Sequence, residues 1–213
     1  MLGPLLLVMQ LSVSPVRADS LLLKSMSAFQ ALHDYQCTLV SHMIKGKKKE
    51  DRVYLYKFMK PHWIYMKVIK GKDKGAEIVY NPETGKIRAH KGGLLSKIKL
   101  TLKPTDKKVL SLRGHRVDKT DFGSVLSTWL KVKDRAKVVG LGGKVDGIPC
   151  TVLEVDGLNP DAWNGADRAR IYIRMDNFLP YVREEYEGDK LVHRAIYKDL
   201  KINVGLTKDD FKM

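Results

Sequence analysis

Two cysteines, Cys37 and Cys150, are all that the 213 residues contain. So sparse a set excludes a disulfide-stapled miniature fold and any cysteine-rich zinc module. Acids are also scarce: 24 Asp and Glu stand against 39 Lys and Arg, a formal charge of +15. That balance disfavours basic partners and favours polyanions, among them nucleic acid, anionic headgroups and lipopolysaccharide. A Lys-rich solvated surface with no partner accounts for it equally well. Long apolar runs are missing after the first residues, so no membrane-spanning helix is expected.

Catalytic and metal signatures are missing too. No pair among His33, His42, His62, His90, His115 and His193 has zinc-ligand spacing, and H-E-x-x-H does not occur. There is no G-x-S-x-G. Gly140-Leu141-Gly142-Gly143 lacks the third glycine of a phosphate cradle. Glu184 and Glu185 are adjacent on an expected strand, so they face opposite sides and cannot act as a carboxylate pair. Asp161, Asn164 and Asp167 read as turn chemistry before calcium ligands. No enzyme activity, metal or cofactor is expected.

What the sequence does have begins with Leu2 to Val13, an apolar run too short to span a bilayer. Val16-Arg17-Ala18 follows with small residues at signal-peptidase spacing. Together they read as a cleaved leader over residues 1–18, although no basic residue precedes the run. Export to the periplasm follows, and the mature 19–213 suits a single domain. In an oxidising compartment two cysteines point to one bridge, Cys37–Cys150, worth roughly 4 kcal/mol in the loop-entropy model. The alternative is two buried thiols.

Residues 52–80 read as three strands, each closed by a turn signal: Lys60-Pro61, Gly71 to Gly75, and Asn81-Pro82. Apolar and charged residues interleave, as on a sheet with one greasy and one wet face. Before them, Leu22, Met26, Phe29 and Leu32 share a face of a helix over 20–36, and Cys37 to Ile44 reads as a strand. A polar hairpin loop is expected over 46–51. Lys86 to His90 and Leu94 to Leu102 read as strands, and 107–117 has no clear assignment. Phe122, Val125, Leu126, Trp129 and Leu130 form the stripe of a second helix with N-cap candidates at Asp118 and Asp121. Strands over 136–140, 150–155, 169–176, 181–187 and 191–200 follow, then a tail from Ile202. This order lacks βαβ alternation, so it predicts an α+β fold, a long antiparallel sheet that must curl, covered by helices.

Three passages carry a family resemblance. They are Lys57 to Lys67 with Lys74 to Tyr80; Gly147-Ile148-Pro149-Cys150 with Ile171-Tyr172-Ile173 and Leu179-Pro180; and Lys198 to Asn203 with Asp209-Asp210-Phe211. In this order they resemble the periplasmic lipoprotein-localisation (LolA-like) superfamily, closest to an uncharacterised exported branch. The resemblance implies a curled antiparallel half-barrel capped by helices, with a cavity for acyl chains and no cofactor. Implied partners are an acyl chain, a lipid or a lipoprotein. The basic surface adds an anionic membrane surface, and export argues against nucleic acid. A monomer is expected. The other reading is a structural or regulatory envelope module that grips a protein or polyanion through its basic surface.

Cavity-lining candidates follow from strand alternation. Tyr54, Tyr56 and Phe58 share one face, and Ile64, Met66 and Val68 another. Ile78, Tyr80, Ile171 and Ile173 complete the set. Lys67 must reach water, so the Ile64 face is assigned inward. A packed core and an acyl pocket want the same side chains, so the pattern alone leaves both open.

Overall fold

The computed structural model describes residues 16–213. The expected leader therefore lies largely outside the described residues. The first helix, α1, spans Ala18–Ala31. It ends five residues earlier than the hydrophobic pattern suggested, because Leu32 and Asp34 are already extended backbone.

Six strands follow as a meander: β1 Asp34–Lys45, β2 Lys48–Met59, β3 Trp63–Gly71, β4 Glu77–Asn81, β5 Lys86–His90 and β6 Leu100–Leu102. The second helix, α2, is Phe122–Leu130. Five strands complete the chain: β7 Lys137–Val145, β8 Ile148–Val155, β9 Arg168–Arg174, β10 Pro180–Glu187 and β11 Lys190–Ile202. All eleven join one antiparallel sheet in the order β6-β5-β4-β3-β2-β1-β11-β10-β9-β8-β7. The sheet is open, with β6 and β7 at its edges. The two meanders meet where β1 pairs with β11. This is the α+β half-barrel that the sequence implied.

Several boundaries shift for local reasons. The polar stretch expected as a loop over 46–51 is mostly strand, since β1 and β2 turn at Gly46-Lys47 alone. Gly46 takes a left-handed φ of 58°, which suits glycine. The expected strand over 94–102 shrinks to β6, preceded by a 3₁₀ turn at Gly93–Lys97.

The helices lie on one face of the sheet. Phe122, at the start of α2, stacks on Tyr35 with ring centroids 4.4 Å apart, and Tyr35 stacks on Phe58 at 5.1 Å. The Phe122 amide donates to the Tyr35 hydroxyl at 3.2 Å. Asp121 caps α2 by accepting the Ser124 amide at 3.0 Å, as its sequence position suggested. Gly123 lets the two helices approach: a Cβ there would sit 2.3 Å from the Phe29 ring.

The other face of the sheet is not uniformly wet. Met59, Trp63, Tyr65 and Val79 are covered by Leu206 and Phe211 of the C-terminal segment. Asp34 fastens that segment. Its buried carboxylate accepts the amides of Val204, Gly205 and Leu206 at 2.7, 3.2 and 3.3 Å.

The Cys37–Cys150 bridge is not formed, and both thiols are free and buried. Cys37 sits on β1 with Tyr35 and Leu39 in the core beneath the helices. Cys150 sits on β8 with Tyr181 and Val182 in a separate cluster. Three strands, β11, β10 and β9, lie between them. A disulfide needs Cα atoms within about 7 Å, less than the span of two strand spacings. Burial pushes the Cys150 thiol up to about 11, so it stays protonated.

Candidate functional site: a cavity under the lid loop

Tight β2–β3 pairing sets Tyr54 opposite Val68, Tyr56 opposite Met66 and Phe58 opposite Ile64. All six face the helices, which agrees with the inward assignment of the Ile64 face. Their fates then diverge along the strands. At one end Tyr56, Phe58 and Ile64 are packed solid under Tyr35 and Phe122. At the other end a space opens, bounded on the helix side by Val125, Thr128 and Trp129 of α2.

That space is a cavity of about 330 Å³. A second, of about 450 Å³, adjoins it toward β5 and β6. The two share Arg52, Tyr54, Ile78, Lys108 and Val109 as lining. Both lie within the size range of small-ligand sites. Of the ten residues expected to line a cavity, Tyr54, Met66, Val68 and Ile78 do so. Tyr56, Phe58 and Ile64 are core instead. Tyr80 packs edge-on against His62 at 5.5 Å. Ile171 and Ile173 lie in the core under α1 and α2.

The roof is the segment left unassigned by sequence. Residues 108–117 cross the open end, with Val109 and Val117 pointing into the core. Arg113 pins this segment. Its buried guanidinium donates to the Ile44 carbonyl at 2.8 Å, the Asn164 carbonyl at 2.7 Å and the Glu187 carboxylate at 2.8 Å. One side chain thus ties the roof to β1, β10 and the loop after β8. Three charge-assisted bonds offset the burial of its charge.

One wall is polar, and sequence reasoning missed it. His115 of the roof, Glu185 of β10 and His193 of β11 bring their ligand atoms within 4.8 Å of one another. His115 Nε2 lies 2.9 Å from Glu185 Oε2, and His193 Nδ1 lies 3.3 Å from it. Arg183 approaches Glu185 Oε1 at 3.4 Å. Two imidazoles and a carboxylate are a zinc-type donor set. Here Arg183 already supplies the positive charge that a bound ion would bring. The signal was the hairpin itself: once β10 and β11 turn at Gly188-Asp189, Glu185 falls opposite His193. Glu184, as expected, faces the other way. It accepts the hydroxyls of Tyr172 and Tyr186 at 3.0 and 2.7 Å.

Burial disfavours charge on Glu185, but the facing His115, 2.9 Å away, outweighs it and holds the carboxyl well below the usual range. Burial lowers His193 to about 4 against the pull of Glu185. The unfolded chain takes up that proton near its ordinary value of 6.5, while the folded chain resists until about 4. The His193 contribution to stability should therefore fall as pH drops from about 6.5 to about 4, by on the order of 3 kcal/mol, against an opposite contribution from His62, which Asp121 holds above its ordinary value. Urea unfolding across that window tests this, and His193→Gln should flatten the slope. An equal slope in the variant would place the titration elsewhere.

The family model described as a protein of unknown function (DUF1571) matches residues 32–213. The chain belongs to that family. No curated protein matches it. Among solved structures, an uncharacterised conserved protein from Thermus thermophilus is similar at 12% identity and a TM-score of 0.59, covering 92% of this chain and 93% of that one. The lipoprotein LppX of Mycobacterium tuberculosis is similar at 10% identity and 0.54, over 89% and 97%. A LolA superfamily protein from Nitrosomonas europaea aligns at 13% identity and 0.44, over 93% and 99%. At such identities the likeness is one of fold. For this DUF1571 chain it agrees with the curled antiparallel half-barrel under helices that the sequence implied. Among the described residues no helix is long and apolar enough to cross a membrane.

Proposed function

We propose that this protein binds an acyl chain, free or as the anchor of a lipidated partner, in the cavity between its concave sheet face and the roof at 108–117. It does so without catalysis, as an exported single domain over 19–213 released from a leader at 1–18. The observation that carries the reading is the cavity's wall. Leu39, Met43, Tyr54, Met66 and Ile78 stand on consecutive strands around a space that the helices leave unfilled. A core would close such a gap, since an empty apolar space forfeits contacts on every side. The polar wall of Arg183 and the two histidines suits the polar end of an amphiphile. The fold shared with a lipoprotein is consistent with this reading.

A second reading rests on the +15 charge, which would let the surface grip a protein or polyanion. Salt separates the two. Burial of an acyl chain is nearly independent of ionic strength, whereas surface recognition weakens steeply between low and physiological salt. A fluorescent fatty-acid probe should bind saturably with less than about a twofold change in affinity over that range. Affinity that collapses with salt would favour the surface reading.

A further inference from the structure

Lys86 to Thr105 contains no acidic residue, while Lys86, Arg88, Lys91, Lys97, Lys99 and Lys103 all carry positive charge. Set among these charges are large aliphatic side chains left wholly or half in solvent. Leu94 is 99% exposed, Ile98 59%, Leu95 48% and Leu100 41%. A lone exposed leucine needs no explanation, but a contiguous group of four does. They occupy the 3₁₀ turn at Gly93–Lys97, its C-cap Ile98 and the start of the edge strand β6, whose outer edge no further strand covers.

The group is held in place. Gly92 packs against the β3–β4 turn so closely that a Cβ there would sit 2.0 Å from the Lys74 carbonyl. This seats the turn that carries exposed Lys72 and Lys74 against Gly92, two residues before Leu94. The acid of that turn, Asp73, is taken up by Arg52 at 2.5 Å. Lys99 reaches the Met213 carbonyl at 2.7 Å, which steadies the strand. The result is an aliphatic tip ringed by ammonium groups. Leu95, Ile98 and Leu100 also line the 450 Å³ cavity, so the tip is the rim of the proposed acyl site.

We infer that the segment Lys91–Lys103 docks the protein on an anionic bilayer surface, with Leu94, Leu95 and Ile98 entering the headgroup boundary and the cavity mouth facing the lipid. Apolar tips with lysine flanks are how interfacial segments hold a membrane, joining buried aliphatic area to attraction by anionic lipid. Nucleic acid would satisfy the lysines but leave the leucines wet. A second copy of this chain would set ammonium against ammonium. The inference deepens the acyl-binding reading and rests on it for what is taken up at the rim.

Vesicle co-sedimentation tests the docking. The full protein should bind equimolar phosphatidylglycerol–phosphatidylcholine vesicles at least about tenfold more tightly than pure phosphatidylcholine vesicles. The double variant Leu94→Ser/Ile98→Ser should lose about tenfold on the anionic vesicles. Lys97→Gln/Lys103→Gln should lose binding and part of its salt dependence. Both pairs are surface changes, and unchanged urea unfolding confirms the fold. Wild-type protein that ignores anionic vesicles overturns the docking. So does a Leu94→Ser/Ile98→Ser variant that binds as wild type, because the aliphatic tip would then play no part. Uptake of a fluorescent fatty acid from solution is measured on the same samples. If docking holds and wild-type uptake fails, the acyl reading falls while the docking surface stands. If uptake holds and docking fails, only the inference falls.

Discussion

Asp34→Ala should lower the unfolding free energy by about 3–5 kcal/mol, the largest single-residue loss expected outside the aromatic core. Asp34 is 1% exposed, and its carboxylate is the acceptor for three consecutive amides, Val204, Gly205 and Leu206. His33 Nδ1 lies 3.1 Å from the same group. Removing the side chain leaves those amides without their protein acceptor, the Leu206 amide in a buried setting. It also frees the segment whose Leu206 and Phe211 cover Trp63 and Tyr65. Asp34→Asn keeps one carbonyl acceptor and should lose less than half as much. Urea unfolding measures the difference, and amide exchange at 204–206 should quicken in step. A loss below about 1 kcal/mol would mean that the segment is held by its apolar contacts alone.

The second large effect is on binding. Met66→Lys should abolish fatty-acid uptake, weakening it by well over about tenfold, at a stability cost below about 2 kcal/mol. Met66 stands on the cavity wall with Tyr54 and Ile78 beside it. An ammonium group there can point into the open space and keep its water. Ile64, one turn of the pleat away on the same face, is buried in solid core, and Ile64→Lys should unfold the protein. The pair works as an internal comparison. If Met66→Lys loses cooperative unfolding as Ile64→Lys does, β3 is plain core along its length and the cavity assignment there fails.

The sheet was legible because its strands are punctuated. Lys60-Pro61, Gly71 to Gly75 and Asn81-Pro82 mark turns by backbone chemistry, and the Ile64–Val68 alternation gives the inward face by a rule of period two. Where the chain obeys tertiary rather than local rules, the pattern failed. Asp34 reads as a helical surface residue, yet a buried cradle of amides from 170 and more positions away claims it. The roof at 108–117 has no periodicity because it is pinned by Arg113, not by a ladder. Cavity and core could not be told apart, since Tyr54 and Phe58 sit on one face of one strand and differ only in tertiary neighbours: Phe58 stacks under Tyr35, whereas Tyr54 borders the open space. The His115, Glu185 and His193 wall joins a loop to a hairpin, which no spacing rule reveals. The cysteine pair misled for the same reason: pairing depends on strand order, and three strands intervene.

The central claim is that the space above Met66 and Tyr54 holds an acyl chain. Native mass spectrometry of the full protein, purified from membranes of the expressing cell without added lipid, tests it most directly. The account predicts a bound population one lipid or acyl chain heavier than the bare protein, lost in Met66→Lys and retained in Leu94→Ser loaded from solution, since Leu94 lies outside the cavity lining. Protein that is bare in every preparation, and stays bare after incubation with fatty acid, would contradict it.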